Sequence, residues 1–455
     1  RASSIAANLS IEHMARPNIS AQAVAHVALD ELTRSVDLPI HPQPGLNAID
    51  ATLAIRDMQI QNALVSIGKT YIAASGDLRT GAQFEAGIAI DEIAALADLK
   101  RHPSGSVQIA GTAKIPLALN GTLKSNNLSY EQFRGMRIES AFHADPRTIE
   151  LSGFTAGALG GEVRANARLA NQSQFSVNGT LRNFSIANLS AALTKKTIGY
   201  AGNIGGSIQA SGDLKQTIRA SAHLTIAPGG RGVPVSGRID AGYDNGIVQL
   251  KPSSIVLPHT RIDLSGRIGE QADVRIESRS LEDFSPVANP GSAVRLRGGS
   301  GLVTIHESGP LSNPQLTGHV TLTNFTLEER RFDRLSAGLR ASPSSAEISD
   351  GTLEHAGLRA QFSGSAGLSN WKLADQAPIR AKLTTSGGDA ADFLALAGQP
   401  ARITGPVTAN MAIAGTATNP QGSAQVAAGP GNAYGEPFDR LQLAADLSDQ
   451  RVDLT

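Results

Sequence analysis

The side chains able to do chemistry in this sequence are few and scattered. The ten histidines, His13, His26, His41, His102, His143, His223, His259, His306, His319 and His355, have no i, i+4 partner among them. None sits in an Asp, Glu and His cluster with ligand spacing, so they do not spell a zinc or di-metal centre. The stretch IGKTY at 67–71 ends like a phosphate-binding loop, but Ala63 stands where the leading glycine of such a loop belongs, and the segment reads as a turn between strands. APGGRGVP at 227–234 is glycine-rich with no helix pattern behind it and reads as a loop. GGDAAD places Asp389 and Asp392 three residues apart, which is also how carboxylates cap a helix start and complement its dipole. There is no Gly-x-Ser-x-Gly elbow. With no cysteine in 455 residues, disulfides, thiolate metal sites and cysteine nucleophiles are excluded. The expectation is a protein that is not an enzyme and that uses no cofactor and no metal.

Charge adds a second exclusion. Lys plus Arg number 40 and Asp plus Glu 40, so no net field draws nucleic acid or anionic lipid over long range, and no nucleic-acid partner is expected. The absence of cysteine suits the bacterial periplasm, and it suits a reducing cytoplasm equally well. No stretch of 18 apolar residues and no basic-then-apolar leader is present. The sequence starts at Arg1 and stops at Thr455 inside an alternating segment, so the reading is an internal part of a longer protein.

The elements that would position any site are strands. Gly at 47, Pro at 22 and only 4% aromatic residues describe many turns and small apolar side chains, which favours an all-β architecture. FDRL occurs at 332–335 and again at 438–441, its phenylalanines 106 residues apart. Behind the first copy Leu335, Ala337, Leu339 and Ala341 alternate with polar or small residues; behind the second, Leu441, Leu443, Ala445 and Leu447 do the same. Period two predicts amphipathic strands. A degenerate third copy is FRGMRIESAFHA at 133–144.

Glycines recur at fixed places in the alternation, at Gly121, Gly212, Gly309 and Gly415 and, interleaved, at Gly76, Gly179, Gly266 and Gly364. Glycine inside a strand permits a bend or a close approach of backbones. Short helices are predicted once per long period, at 89–100, 186–196, 280–288 and 388–398, each with Asp, Asn or Ser near its start. The pattern divides the chain into a partial N-terminal repeat at 1–88, repeats at 89–185, 186–279 and 280–387, and a truncated repeat at 388–455.

Repeats that each lack a complete core stack and share one apolar interior. Two arrangements fit: an elongated array whose single curved sheet keeps an open greasy groove, or stacked β-sandwiches with a dry interior. Scarce aromatics and abundant Ala and Gly leave room and favour the groove. Roughly 30 strands at about 4.8 Å each would run on the order of 140 Å. Such a surface needs an apolar occupant, and acyl chains, at about 0.8 kcal/mol per buried CH₂, are the natural one. The residues expected to line it are Val163, Leu169, Ile262, Leu264, Val320, Leu322, Leu335, Leu339, Leu358, Phe362, Leu441 and Leu443. Arg164, Arg168, Arg261, Asp263, Arg267, Arg359 and Gln361 belong to the opposite face.

The order of these pieces resembles the AsmA-like family, and within it the TamB-like translocation and assembly module proteins of Gram-negative bacteria. The likeness rests on DAADFLALAGQPARITGPVTANMAIAGTATNPQGSAQV followed by GEPFDRLQLAADL, matched by GSGLVTIHESGPLSNPQLTGHVTLTNFTLEERRFDRLSAGLRA. It covers the chain from about Ile88 onward. The resemblance implies a periplasmic protein anchored to the inner membrane by a segment outside this sequence, with a tapered β-groove that carries phospholipid between inner and outer membrane in outer-membrane biogenesis. It also implies an alternative, a scaffold for outer-membrane protein assembly and protein secretion working with a barrel partner of the TamA type. The sequence departs from the family in having no matching N-terminal anchor or C-terminal region.

Overall fold

The computed structural model describes residues 3–12, 18–36, 40–77, 79–99, 103–114, 117–288, 296–327, 330–396, 402–448 and 451–454. It is 72% strand and 8% helix, an open antiparallel all-β fold with a few short helices. His13 and His102, two of the histidines considered above, lie outside the described residues, as do the last residues of the helical segments expected at 89–100 and 388–398.

The chain divides into two units. The first comprises Arg1–Thr197 and Asn203–Leu224. Its strands follow one another as antiparallel neighbours: Ser4–Glu12, Asn18–Ala28, Ala48–Arg56, Gln59–Ile67, Thr70–Asp77, Gly81–Ala89, Ser106–Lys114, Ala118–Tyr130, Phe133–Ala144, Thr148–Ala158, Gly161–Ala170 and Gln174–Ser185. Among the described residues Ser4–Glu12 pairs only with Asn18–Ala28.

The second unit comprises Ile198–Gly202 and Thr225–Thr455. From Ser236–Asp244 it runs through Ile247–Val256, Thr260–Ile268, Gln271–Ser278, Leu296–Ser308, Gln315–Leu327, Arg330–Ser342, Ser345–His355, Leu358–Ser369, Pro378–Ser386, Val407–Thr416, Pro420–Ala428, Leu441–Ser448 and Arg451–Leu454, again antiparallel throughout. A small separate sheet joins Ile403–Thr404, Gly431–Ala433 and Glu436–Phe438.

Tight turns make this serial pairing possible. Asp57–Met58, Asn245–Gly246, Ala356–Gly357 and Asn370–Trp371 each place two consecutive residues at positive φ between paired strands. That is the two-residue hairpin loop whose twist matches the strands it joins.

Helices interrupt the strands at Ile90–Leu96 and Ile186–Thr194, at the 3-10 turn Leu281–Phe284 continued by Ser285–Ala288, and at Ala390–Leu396, within the four segments expected to be helical. Leu29–Val36 is a further helix that the sequence reading did not single out. Its acidic first turn, Asp30 and Glu31, was the available signal. Buried side chains gather where these helices meet the sheet: Leu29, Ala94, Leu96, Leu281 and Ala390 are all nearly sealed from solvent. In the second unit Leu281 packs with Phe325 and Phe332, whose rings stack at 5.4 Å, and Leu322, Leu335 and Leu353 lean on the same cluster.

The FDRL copies differ in detail. The first lies inside Arg330–Ser342; in the second, Asp439 and Arg440 fall between Glu436–Phe438 and Leu441–Ser448. In both cases the leucine leads into an amphipathic strand. FRGMRIESAFHA forms Phe133–Ala144.

Candidate functional site

Register converts the alternating pattern into continuous surfaces, because residues directly opposite in a ladder point to the same face. In the first unit one ladder row reads Ala7, Ala23, Leu53, Ala63, Ala74, Phe84, Gly111, Gly121, Phe142, Leu151, Ala167, Val177, Ala210. Every position in it is apolar or glycine. A neighbouring row on that face reads Ile5, Ala25, Ala51, Val65, Ile72, Ala86, Ile109, Leu123 before reaching Ser140. Ser140 is buried and its hydroxyl donates to the Ala141 carbonyl at 2.8 Å, so the row ends on a satisfied polar group.

The second unit repeats the device with its own row: Leu264, Val274, Ile305, Gly318, Leu339, Ile348, Gly364, Ala381, Ile413, Gly422, Leu447. A parallel row on the same face runs Leu322, Leu335, Leu353, Ala360, then Thr385, then Ala409, Val426, Leu443. Thr385 hides its hydroxyl against the Ala409 backbone amide, which donates to it at 2.7 Å. Two classes of side chain therefore share the face, large aliphatics and residues too small to fill space.

Ten of the twelve residues expected to line an apolar surface fall in the second unit, and the register puts all ten on one face. Leu264, Leu339, Leu322, Leu335 and Leu443 occupy the rows just traced. Ile262 and Val320 sit in a third row through Ile276 and Val303, and Phe362 in a fourth through Leu383 and Met411. Leu358 and Leu441 keep the phase of Ala360 and Leu443 along their strands. Val163 and Leu169 lie together on the apolar face of the first unit, opposite Leu181 and Phe175.

Exposure separates these residues. Leu358 is only 4% exposed, whereas Leu441 and Leu443 are 46% and 45% exposed; the remaining ones are half-buried. Ile348 and Met411 on the same face are about as open. A dry sandwich interior would leave such side chains almost fully covered, so this face meets solvent.

The reverse face is charged and internally neutralised. In the second unit Asp263 stands opposite Arg275, Arg261 opposite Glu277, Arg340 opposite Glu347, and Glu354 opposite Arg359. Arg261 pairs with Asp263 at 2.8 Å and Arg359 with Glu354 at 2.9 Å. The hydrogen bond from Arg261 holds the Asp263 carboxyl below the usual carboxylate range. Exposed pairs like these add little to stability; their larger effect is to keep one sheet face wet.

The segments read as a turn, a loop and a helix cap fold as such. Gly68 and Lys69 form the turn between Gln59–Ile67 and Thr70–Asp77, and 229–232 is irregular chain ahead of Val233–Pro234. Asp389 accepts the Ala391 amide at 2.9 Å and, through its other oxygen, the Gly405 amide at 2.9 Å, so it caps Ala390–Leu396 and ties it to the chain after it.

One polar cluster was not legible in the sequence. Asp283, 4% exposed, accepts the His259 amide at 2.8 Å and the Thr260 hydroxyl at 2.8 Å, with His259 Nδ1 at 3.2 Å from its second oxygen. Tyr200 donates to the Asp283 carbonyl at 2.9 Å, and burial raises the Tyr200 pKa above its usual value. The cluster fixes the Leu281–Phe284 turn over the edge of the apolar rows. The partners of Asp283 lie 23 to 83 residues from it in sequence, too far for any spacing rule.

Among the described residues no group of three His, Asp or Glu could hold a metal ion, and no helix is long and apolar enough to cross a membrane. No family model matches the chain, and no curated protein and no solved structure is similar to it.

Proposed function

We propose that the chain is a non-enzymatic conduit for phospholipid, holding acyl chains on its apolar sheet faces while head groups stay in water. The observation that carries this reading is the run of ladder rows in which strand after strand contributes mostly aliphatic, aromatic or glycine positions to one face, opposite a face of paired charges. A soluble surface of that extent is unfavourable unless something apolar occupies it. Acyl chains gain about 0.8 kcal/mol for each CH₂ they bury, and rows of Ala and Gly offer no side chain that would fix one cargo shape. Movement along such a surface needs no bond making or breaking, only a continuous low-dielectric path.

The module order described above supports assignment to the AsmA-like, TamB-like proteins, and with it a periplasmic site of action between inner and outer membrane, an inner-membrane tether outside this sequence and an outer-membrane barrel partner. The test is native mass spectrometry of the chain purified from bacterial cells under gentle conditions, with extraction and identification of lipid. Phospholipid at several molecules per chain is the expected result. A folded, β-rich sample that is free of lipid and takes none from vesicles would overturn the proposal and shift the assignment to a scaffold that adds strands to nascent outer-membrane β-proteins.

A further inference from the structure

The charged face of the first unit gathers several cations that are not neutralised around one surface cup. The cup, of about 680 Å³, has Lys124, Arg134, Arg137 and Arg182 around it and Glu139 and Glu162 between them. Both carboxylates already have partners: Glu139 is held by Lys124 at 2.8 Å, its direct ladder neighbour, and Glu162 by Arg164. Arg134, Arg137 and Arg182 form no ion pair among the described residues.

The backbone gives the surplus charge a shape. Arg137, Gly157, Glu162 and Arg182 form consecutive positions of one ladder row. The two arginines are three ladder steps apart, about 14 Å at about 4.8 Å per strand, and the position next to Arg137 carries no side chain. A Cβ built on Gly157 would meet nothing within 4 Å, so the floor of the cup is open because the residue is glycine. The amides of Asn126 and Asn183 line the same cup.

We propose that this cup binds a phosphate group, with Arg137 and Arg182 gripping it from two sides and Arg134 at the rim. Guanidinium groups are planar forks that match phosphate oxygens two at a time, and their charge persists at any physiological pH. The site lies on the face opposite the apolar rows and does not rest on the lipid-conduit reading. The phosphate could come from a membrane headgroup or from a soluble phosphate compound, and the two sources share this chemistry.

Two probes test it on the full chain: inorganic phosphate by titration calorimetry, and flotation with vesicles of equal parts phosphatidylglycerol and phosphatidylcholine. Arg137→Ala with Arg182→Ala removes the grip. Gly157→Leu fills the cup while leaving every charge in place, and its backbone conformation tolerates a side chain. Arg261→Ala, on the charged face of the other unit, is the control, and circular dichroism checks that each variant folds. Saturable phosphate binding is expected to weaken about tenfold or more in both cup variants and to persist in the control. If vesicle flotation falls with it, the source is a headgroup; if flotation is equal in all variants, the source is soluble phosphate. Wild-type protein that binds neither probe, or cup variants that bind like wild type, would overturn the proposal.

Discussion

The rings of Phe84 and Phe142 stand 6.4 Å apart, inclined at 59°, although two strands separate them in the sheet. They meet because the intervening positions in their ladder row are Gly111 and Gly121. A methyl group at Gly121 would come within 2.2 Å of the Ala110 carbonyl oxygen and 2.9 Å of the Phe142 ring. Gly121→Ala is therefore expected to cost about 1–3 kcal/mol. The change should be read locally, as faster amide exchange in Ser106–Lys114 and Ala118–Tyr130, because a long array need not unfold in one step. Unchanged exchange there would mean the two backbones have room that the geometry denies.

The Asp283 carboxylate makes a second local prediction. Asp283→Ala would leave the partly buried His259 amide without its acceptor, at a cost of about 1–3 kcal/mol, while the Thr260 hydroxyl would keep Ser278 Oγ at 2.7 Å. The His259 amide should lose its protection and the Leu281–Phe284 turn should loosen, exposing Phe325 and Phe332. Retained protection at His259 would show that the carboxylate does not hold the turn.

These two sites mark the boundary of what the sequence reveals. Alternation after FDRL identifies strands and their greasy sides, since side-chain direction in a strand is a period-two property. It also supplies the residues of the apolar face, because Leu335, Leu339, Leu358 and Phe362 need only their own strand to declare a side. Register is another matter: that Phe84 and Phe142 close over two glycines depends on pairings between strands. The Asp283 cluster depends on tertiary contacts in the same way. Asn324 adds a local case, where a left-handed φ of 52° lets Phe325 join Leu322 on one cluster despite their opposite phase in the alternation.

Asp145 predicts a pH effect. Its carboxylate accepts the Arg147 amide at 2.7 Å and the Thr148 amide at 2.8 Å, and these bonds hold its pKa below the usual carboxylate range. A depressed carboxylate stabilises the fold at pH values above its unfolded pKa and ceases to do so as pH falls through the folded one. Thermal melts of wild type and Asp145→Ala should differ most near neutral pH and converge below about pH 4. A gap that stays constant or widens in acid would contradict the assignment.

The lipid reading is sharpest where exposure differs within one face. Leu358 is sealed and Leu441 and Leu443 are open, so substitution should have opposite consequences at the two places. Leu358→Ala removes packed side chain and is expected to cost about 2–4 kcal/mol, lowering the melting temperature whatever the face does. Leu443→Glu removes no sealed contact and should leave the melt near wild type while lowering the phospholipid that co-purifies. Leu339→Glu and Phe362→Lys, half-buried in the middle of the rows, should do the same more strongly, because a charge there interrupts the apolar path between neighbours such as Gly318 and Ile348. If these three variants fold and retain lipid and transport like wild type, the face is not where acyl chains lie. If they lose lipid only in proportion to lost stability, the residues serve packing, and the difference from Leu358 disappears.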